Sequence, residues 1–320
     1  MEARMRPELL VVTPIYPPTL AALEREYTVH KLWLAPDRDA MVAQVADRVR
    51  GAVTVGSVGL PAGLIESLPK LEIIGCFGTP HGVVDIAAAK SRGVVVTNTP
   101  DSITEAVADL AIGLMIALMR KICETDRFVR AGKWVKGLPP MGSDLRGKTC
   151  GIVGLGAIGS GIARRAEALG MTVCYHGRRK KRDVPYTYCP DLTELAQRSG
   201  CLMIACWLTP ETRGLVDSRV LEALGADGYL VNVARGPIVV EDALIAALKN
   251  GRIAGAALDV YWDEPHVPEA LVSMENVVLV PHIGSSTREV RDARGDKLME
   301  NLRAHFSGNP VPNPLPVDHV

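Results

Sequence analysis

Three polar residues stand just beyond apolar runs. Arg235 follows Tyr229–Val233, Glu264 follows Ala254–Asp259, and His282 follows Val277–Val280. Open α/β sheets bind ligands at the carboxyl ends of their strands, so these are places where side chains meet a substrate. The three residue types suit 2-oxo-acid chemistry. An arginine anchors the carboxylate. A histidine gives a proton to the carbonyl oxygen as hydride reaches the carbon, and a glutamate favours and orients the protonated imidazole. Each residue alone has a plainer use, as a loop histidine, a surface acid or a helix-cap partner. Their placement behind a phosphate-binding signature is what groups them.

That signature is the run Thr149–Gly159, an apolar strand leading through Gly154-Leu-Gly156-Ala157-Ile158-Gly159 into an amphipathic helix. Gly154 permits the tight turn, Gly156 lets the backbone approach a pyrophosphate, and Gly159 lets helix and strand pack closely. The helix opening at Ala157 and Ile158 offers free N–H groups and a partial positive charge to the anion. An NAD site then expects an acid about 20 residues on, to hold the ribose 2′-hydroxyl. Here the chain reads Tyr175-His176-Gly177-Arg178-Arg179-Lys180-Lys181-Arg182, with no acid before Asp183. A carboxylate would repel a 2′-phosphate, whereas guanidinium groups bind it bidentately. The expected cofactor is therefore NADP(H). A solvated basic loop and a nucleic-acid patch are the competing readings of the same run.

These residues need a scaffold, and the chain supplies one in two series. Short apolar runs at Leu9–Val12, Val29–Leu34, Ala52–Val55, Leu71–Cys76 and Val94–Thr97 read as buried parallel strands. Helical patterns at Thr19–Tyr27, Arg38–Val49 and Val83–Arg92 separate them. From Thr149 a second series follows, with strands expected at Thr149–Val153, Met171–Tyr175, Leu202–Cys206, Tyr229–Val233, Ala254–Asp259 and Val277–Val280. Helices at Ile158–Leu169, Leu192–Gln197, Ser218–Leu224 and Asp242–Lys249 connect these strands. The βαβα rhythm predicts parallel sheets covered on both faces. Between the series, Asp101–Arg130 is rich in Ala, Leu, Ile and Met, and reads as a buried helix at a domain junction, with Met115 and Met119 as core. Thr287–Phe306 is one more helix.

Length and composition agree with this organisation. At 320 residues the chain suits two domains. Lys and Arg total 36 against 36 Asp and Glu, which argues against broad binding to nucleic acid or anionic membrane. The 7 cysteines include no CxxC pair, so they read as reduced thiols and not as a disulfide frame or zinc site. No cluster has metal-ligand spacing, and no metal is expected. The N-terminal apolar run is too short for a signal peptide, and Ala106–Met119 is too short to span a bilayer. A cytoplasmic protein is expected.

Taken together, the motifs resemble the D-isomer-specific 2-hydroxyacid dehydrogenase family over nearly the whole chain. The resemblance rests on Asn98-Thr-Pro followed by Thr104–Leu114, on Asp144–Lys148, the glycine loop and Leu208–Thr212, and on Val231–Asp242, Asp259–Pro265 and Pro281–Thr287. The Arg-Arg-Lys-Lys loop, Tyr186–Tyr188 and Val107–Gly113 point to its NADPH-preferring glyoxylate/hydroxypyruvate and hydroxyphenylpyruvate reductases. The resemblance implies an α/β fold of two Rossmann-like doubly wound parallel-sheet domains with the cleft between them. The substrate-binding domain would be residues 1–102, completed by 287–320, and the dinucleotide-binding domain 103–286. The two long helices would be the crossovers.

It also implies the roles. Arg235 binds substrate carboxylate and carbonyl, His282 is the acid/base, and Glu264 pairs with it. Asp259 lies near the nicotinamide carboxamide and Thr104 near nicotinamide and phosphates, with Ala234 and Gly284 lining the pocket through backbone. Thr209 and Pro210 join the cofactor contacts. In the family the Val55–Gly59 turn borders the substrate, so Val58 and Gly59 are candidate contacts, an ordinary glycine turn being the other reading. Members of the family are usually homodimers joined through the cofactor domains.

One stretch departs from the family pattern. Where most members read Val-Gly-x-Asp, with two backbone N–H groups for the substrate carboxylate, this chain reads Gly78-Thr79-Pro80-His81-Gly82. Proline has no N–H. Thr79, Pro80 and His81 are therefore candidate substrate contacts with altered selectivity, a locally rearranged turn with unchanged chemistry being the other reading. Other readings are a different dehydrogenase of the same fold, or a non-catalytic dinucleotide-sensing binding protein.

Overall fold

The computed structural model describes residues 6–56, 58–78, 84–100 and 103–315. The chain divides into two compact units. One comprises the chain before Ile103 together with Thr287 onward; the other is Ile103–Ser286.

The first unit holds a parallel five-stranded sheet of β1 (Glu8–Val11), β2 (Thr28–Lys31), β3 (Val49–Val55), β4 (Ile73–Phe77) and β5 (Val95–Thr97), in the order β2-β1-β3-β4-β5. Its connecting helices are α1 (Pro17–Glu26), α2 (Arg38–Val45), α3 (Ala62–Glu66) and α4 (Ile86–Ser91). Side chains of Asp37 and Asp85 cap α2 and α4 by accepting from backbone N–H groups three residues on. β4 is buried throughout, which explains its uninterrupted apolar sequence. The last helix of the chain, Arg288–Phe306, covers one face of this sheet through the fully buried Leu298 and Leu302.

Two expectations for this unit shift. The run Val29–Leu34 is a strand only to Lys31; Leu32–Leu34 form a single 3-10 turn, with Leu32 buried and Leu34 exposed ahead of Pro36. The helix from Arg38 stops at Val45, because Val49 is needed to open β3 beside Glu8.

The second unit begins with α5 (Thr104–Met119) and α6 (Ile122–Arg130). The expected continuous helix is broken at Lys121, which takes the left-handed conformation at φ 53°. α5 is the buried part, with Met115 and Met119 fully enclosed, while no residue of α6 is buried. A parallel seven-stranded sheet follows: β6 (Thr149–Val153), β7 (Thr172–His176), β8 (Thr187–Tyr188), β9 (Cys201–Ile204), β10 (Tyr229–Asn232), β11 (Gly255–Leu258) and β12 (Val277–Leu279). Its order is β12-β11-β10-β9-β6-β7-β8, a doubly wound arrangement whose switch point lies between β6 and β9. The two-residue β8 extends the six expected strands by one; so short a run carries no periodicity to read.

Helices α7 (Ala157–Ala168), α8 (Leu192–Arg198), α9 (Ser218–Leu224), α10 (Glu241–Lys249) and α11 (Glu269–Val272) cover the sheet, and Arg288–Phe306 is α12. α5 lies against α7 closely enough that a Cβ on Gly161 would sit 3.0 Å from that of Ala108. Arg165 bridges Glu105 and Asp109 across this contact at 2.7 Å each. The few polar residues of α5 thus find partners at its exposed edge. No helix among the described residues is long and apolar enough to cross a membrane.

Candidate active site

The glycine loop leaves β6 at the switch point. Gly154 has φ 94°, and a Cβ there would lie 2.6 Å from Cys206 Cα, where the chain leaves β9. A Cβ on Gly159 would lie 2.1 Å from the Gly154 carbonyl oxygen. Gly156 and Ala157 are exposed, Ile158 is half-buried, and a Cβ on Gly156 would meet nothing within 4 Å. Gly154 and Gly159 are required by the protein's own packing. Gly156 keeps open space in front of the backbone. Gly156 is the N-cap of α7, with no side-chain cap and no acid in the first turn, so the helix directs unshared N–H groups into that space. These residues fit a dinucleotide pyrophosphate. Gly159→Ala is expected to destabilise the unit by about 1–3 kcal/mol through overpacking. It should also weaken dinucleotide binding, read by cofactor fluorescence titration and thermal melting.

The basic run begins one residue beyond β7. Arg178, Arg179 and Lys180 are exposed and take part in no ion pair among the described residues. The loop backbone is held from outside. Tyr175 Oη accepts the Lys181 N–H at 2.7 Å, and Tyr188 Oη donates to the Gly177 carbonyl at 3.0 Å. The Gly154 N–H donates to the His176 carbonyl at 2.9 Å, joining this strand end to the phosphate loop. Tyr175 read in the sequence as an ordinary strand residue, and Tyr188 belonged to the Tyr186–Tyr188 stretch of the resemblance, with no role assigned to either hydroxyl. Across the switch point, Thr209 and Pro210 belong to a turn closed by Thr212, whose Oγ1 accepts the Thr209 N–H at 2.7 Å.

Three adjacent strands, β10, β11 and β12, present Arg235, Glu264 and His282 beyond their carboxyl ends. His282 Nδ1 lies 2.7 Å from Glu264 Oε2, and Glu264 Oε1 accepts the Tyr261 N–H at 3.0 Å. Nδ1 therefore carries the proton shared with glutamate, and Nε2 is left to face a substrate. His282 sits at φ 52°, an uncommon conformation for a side-chain-bearing residue. Asp259, 2% exposed, secures that turn: its two oxygens accept the N–H groups of Ile283 and Gly284 at 2.6 and 3.0 Å. Burial raises the Asp259 carboxyl above its ordinary range, against the pull of those two amides. Its contacts in the protein are thus to the His282 loop.

Arg235 is half-buried, and its Nη1 donates to the Ala234 carbonyl at 2.6 Å. Burial lowers its pKa, and the neighbouring Glu264 and Asp259 carboxylates pull it back up. A Cβ on Gly236 would lie 2.2 Å from the Tyr261 carbonyl, so only glycine lets the Arg235 turn approach the Glu264 turn this closely. Asn232 sets the Arg235 backbone: its Oδ1 accepts the Ala234 N–H and its Nδ2 donates to the Arg235 carbonyl, both at 3.0 Å. Asn232 is fully buried at the end of an otherwise apolar strand. That single polar residue was the signal available in the sequence. Ala234 and Gly284 are buried beside these turns, and Thr104 is the half-buried first residue of α5.

In the first unit, Val58 is exposed and Gly59 half-buried. The Val58 carbonyl accepts from Thr54 Oγ1. Gly78 is fixed to Thr99, donating its N–H to Thr99 Oγ1 at 2.9 Å. Thr79, Pro80 and His81 lie outside the described residues.

A family profile described as D-isomer specific 2-hydroxyacid dehydrogenase, NAD binding domain, matches residues 112–284, the stretch that holds the glycine loop and the Arg235, Glu264 and His282 turns. The chain belongs to the D-isomer specific 2-hydroxyacid dehydrogenase family. As a member it is an oxidoreductase acting between 2-oxo and 2-hydroxy acids with a nicotinamide cofactor. Glyoxylate/hydroxypyruvate reductase A of Arabidopsis thaliana is 47% identical over 92% of this chain and 94% of its own. Hydroxyphenylpyruvate reductase of Plectranthus scutellarioides is 45% identical with the same coverage. Among solved structures, a 2-hydroxyacid dehydrogenase of Ketogulonicigenium vulgare has a TM-score of 0.93 at 40% identity, over 98% of this chain and 100% of its own. An NADPH-dependent glyoxylate/hydroxypyruvate reductase of Sinorhizobium meliloti, in complex with NADP and malonate, has a TM-score of 0.84 at 40% identity, over 97% of both chains.

Proposed function

We propose that this dehydrogenase reduces glyoxylate- or hydroxypyruvate-like 2-oxo acids to D-2-hydroxy acids with NADPH. The observation that carries the reading is the 2.7 Å His282–Glu264 pair beside a half-buried Arg235, all on three neighbouring strand ends. Arg235 binds the substrate carboxylate through its guanidinium fork and polarises the keto oxygen. His282 delivers the proton from Nε2 to that oxygen, while Glu264 stabilises the imidazolium and keeps Nε2 directed outward. The nicotinamide, when bound, supplies the hydride. Asp259 and Asn232 act as positioning residues, fixing the His282 and Arg235 turns respectively. Gly154, Gly156 and Gly159, with Ala157 and Ile158, cradle the pyrophosphate, and Arg178, Arg179 and Lys180 take the 2′-phosphate. Thr104, Thr209, Pro210, Ala234 and Gly284 complete the cofactor contacts. Val58, Gly59, Thr79, Pro80 and His81 border the substrate. The first unit serves as the substrate-binding domain and Ile103–Ser286 as the dinucleotide-binding domain.

The test is oxidation of NADPH against NADH with glyoxylate, hydroxypyruvate, pyruvate and phenylpyruvate-type acids. Rapid NADPH oxidation with a small 2-oxo acid supports the reading, and no turnover with any of them overturns it. Replacing Arg178 and Arg179 together by alanine removes two charged hydrogen-bonding groups, each contributing about 1.5–3 kcal/mol. The KM for NADPH should rise by about two orders of magnitude or more at these values, with that for NADH little changed. Equal effects on both cofactors would assign the loop another task.

The protein is further proposed to work as a homodimer in the cytoplasm. Trp134, Val135, Leu138 and Met141 are 65–92% exposed in the segment after α6, where Ile122 and Val129 are also uncovered. An apolar arm of this extent suits a second copy of the chain. All seven cysteines are unpaired, as suits a reducing compartment.

A further inference from the structure

The chain leaving β9 carries a tryptophan where the sheet opens. Ala205 donates its N–H to the Val153 carbonyl at 2.9 Å, which ties the end of β9 to the end of β6 at the switch point. Cys206 then backs the phosphate loop, its Cα lying 2.6 Å from where a Cβ on Gly154 would sit. Cys206 and Leu208 both pack against the core that α8, α9 and α10 share. Trp207 stands between them, and side chains of an extended segment alternate, so its indole turns out of that core. It is 70% exposed.

The turn that carries it is held in place. Thr212 Oγ1 donates to the Trp207 carbonyl at 2.6 Å and accepts the Thr209 N–H at 2.7 Å. The same turn reaches toward the basic loop. A hydrogen bond with Thr209, and with it the charge of Arg178, holds the Glu211 carboxyl below its ordinary range. Three segments of one unit therefore border a common opening: the glycine loop, the basic loop after β7 and the turn 207–212. In a doubly wound sheet a dinucleotide lies in this opening, outside the carboxyl ends of the strands at the switch point. The glycine loop suits its pyrophosphate, and Arg178 to Lys180 suit its 2′-phosphate. The purine ring is the part of that half of the cofactor for which neither loop provides. An exposed indole on a fixed turn offers it a flat apolar face.

We propose that Trp207 stacks on the adenine ring of the cofactor and so sets the affinity for its adenosine half. The proposal rests on the cofactor assignment of the reductase reading and deepens it, and every residue it uses lies in the Ile103–Ser286 unit. Adenine is common to NADPH and NADH, so the indole serves both and leaves the choice between them to the basic loop.

The experiment compares the unmodified protein with Trp207→Ala and Trp207→Phe, using 2′,5′-ADP, 5′-AMP and NADPH as ligands. Alanine should weaken the binding of all three by about tenfold or more, the size of a lost base–aromatic stack. Phenylalanine should keep most of the affinity. With glyoxylate, kcat at saturating NADPH should stay within about twofold while the KM for NADPH rises, because the purine is held alike in ground state and transition state. A spectroscopic arm separates stacking from mere support of the turn. Binding of 2′,5′-ADP should quench indole emission in the unmodified protein. Trp207→Phe retains Trp33, Trp134 and Trp262 and should lose that quenching. Unchanged affinities in Trp207→Ala, quenching that persists in Trp207→Phe or is missing from the unmodified protein, or a fall in kcat as large as the change in KM overturns the proposal. If no 2-oxo acid is turned over, the reductase reading fails separately, and the affinities and the quenching still decide this one. If 2′,5′-ADP binds no better than 5′-AMP, the 2′-phosphate role of the basic loop fails, and Trp207 is judged on both ligands alike.

Discussion

Replacing His282 with alanine is expected to lower kcat by about two to four orders of magnitude, the usual contribution of a positioned general acid. Binding of NADPH, followed by fluorescence, should be unchanged. The geometry separates the two effects. The imidazole is committed to Glu264 at 2.7 Å through Nδ1, and no group among the described residues takes Nε2. Removing it leaves the glycine loop untouched, because that loop is built from β6 and α7, on the far side of β9, β10 and β11 in the sheet. Glu264→Gln should reduce kcat less, since an amide can still accept from Nδ1 but cannot balance the imidazolium charge. An alanine variant with undiminished kcat would remove His282 from the chemistry and leave the dinucleotide-sensing alternative standing.

Arg235→Gln should be nearly as severe. Its kcat/KM for glyoxylate is expected to fall by about two to three orders of magnitude, as when an oxyanion-stabilising donor is lost. Lysine should restore part of this and not all. The guanidinium fork meets a carboxylate and an adjacent oxygen at once, whereas an ammonium is a single point of charge. The surroundings sharpen the expectation. Arg235 shares its burial with Glu264 and Asp259, so an uncharged residue leaves two carboxylates there with less positive charge between them. Steady-state kinetics with glyoxylate and NADPH, and a melting curve to show that the variant is folded, decide the matter. A variant with unchanged kcat/KM would show that the carboxylate is held elsewhere.

The parts of this site that could be read from the sequence are those in which one residue answers one local demand. Gly154 and Gly159 are dictated by contacts of 2.6 and 2.1 Å within a strand–turn–helix unit, so spacing reveals them. Arg235, Glu264 and His282 follow apolar strands directly, and strand ends are where the fold places its chemistry. What escaped notice depends on residues distant in sequence. Tyr175 and Tyr188 serve the basic loop only because β7 and β8 pair. Asn232 looks like a strand terminus until its amide is seen to span the Arg235 turn. The break at Lys121 leaves no mark, because the helical pattern on either side of it is sound.

The basic loop after β7 takes its path from hydroxyl groups outside it, which grip its backbone at Gly177 and Lys181. None of the five side chains from Arg178 to Arg182 takes part in a hydrogen bond or ion pair among the described residues. Shape and charge are therefore supplied by different residues. Selection could exchange the cations for acids, and with them one electron-carrier pool of the cell for another, without rebuilding the turn. The same separation makes this loop a place where an engineer can redirect reducing power by surface substitutions alone.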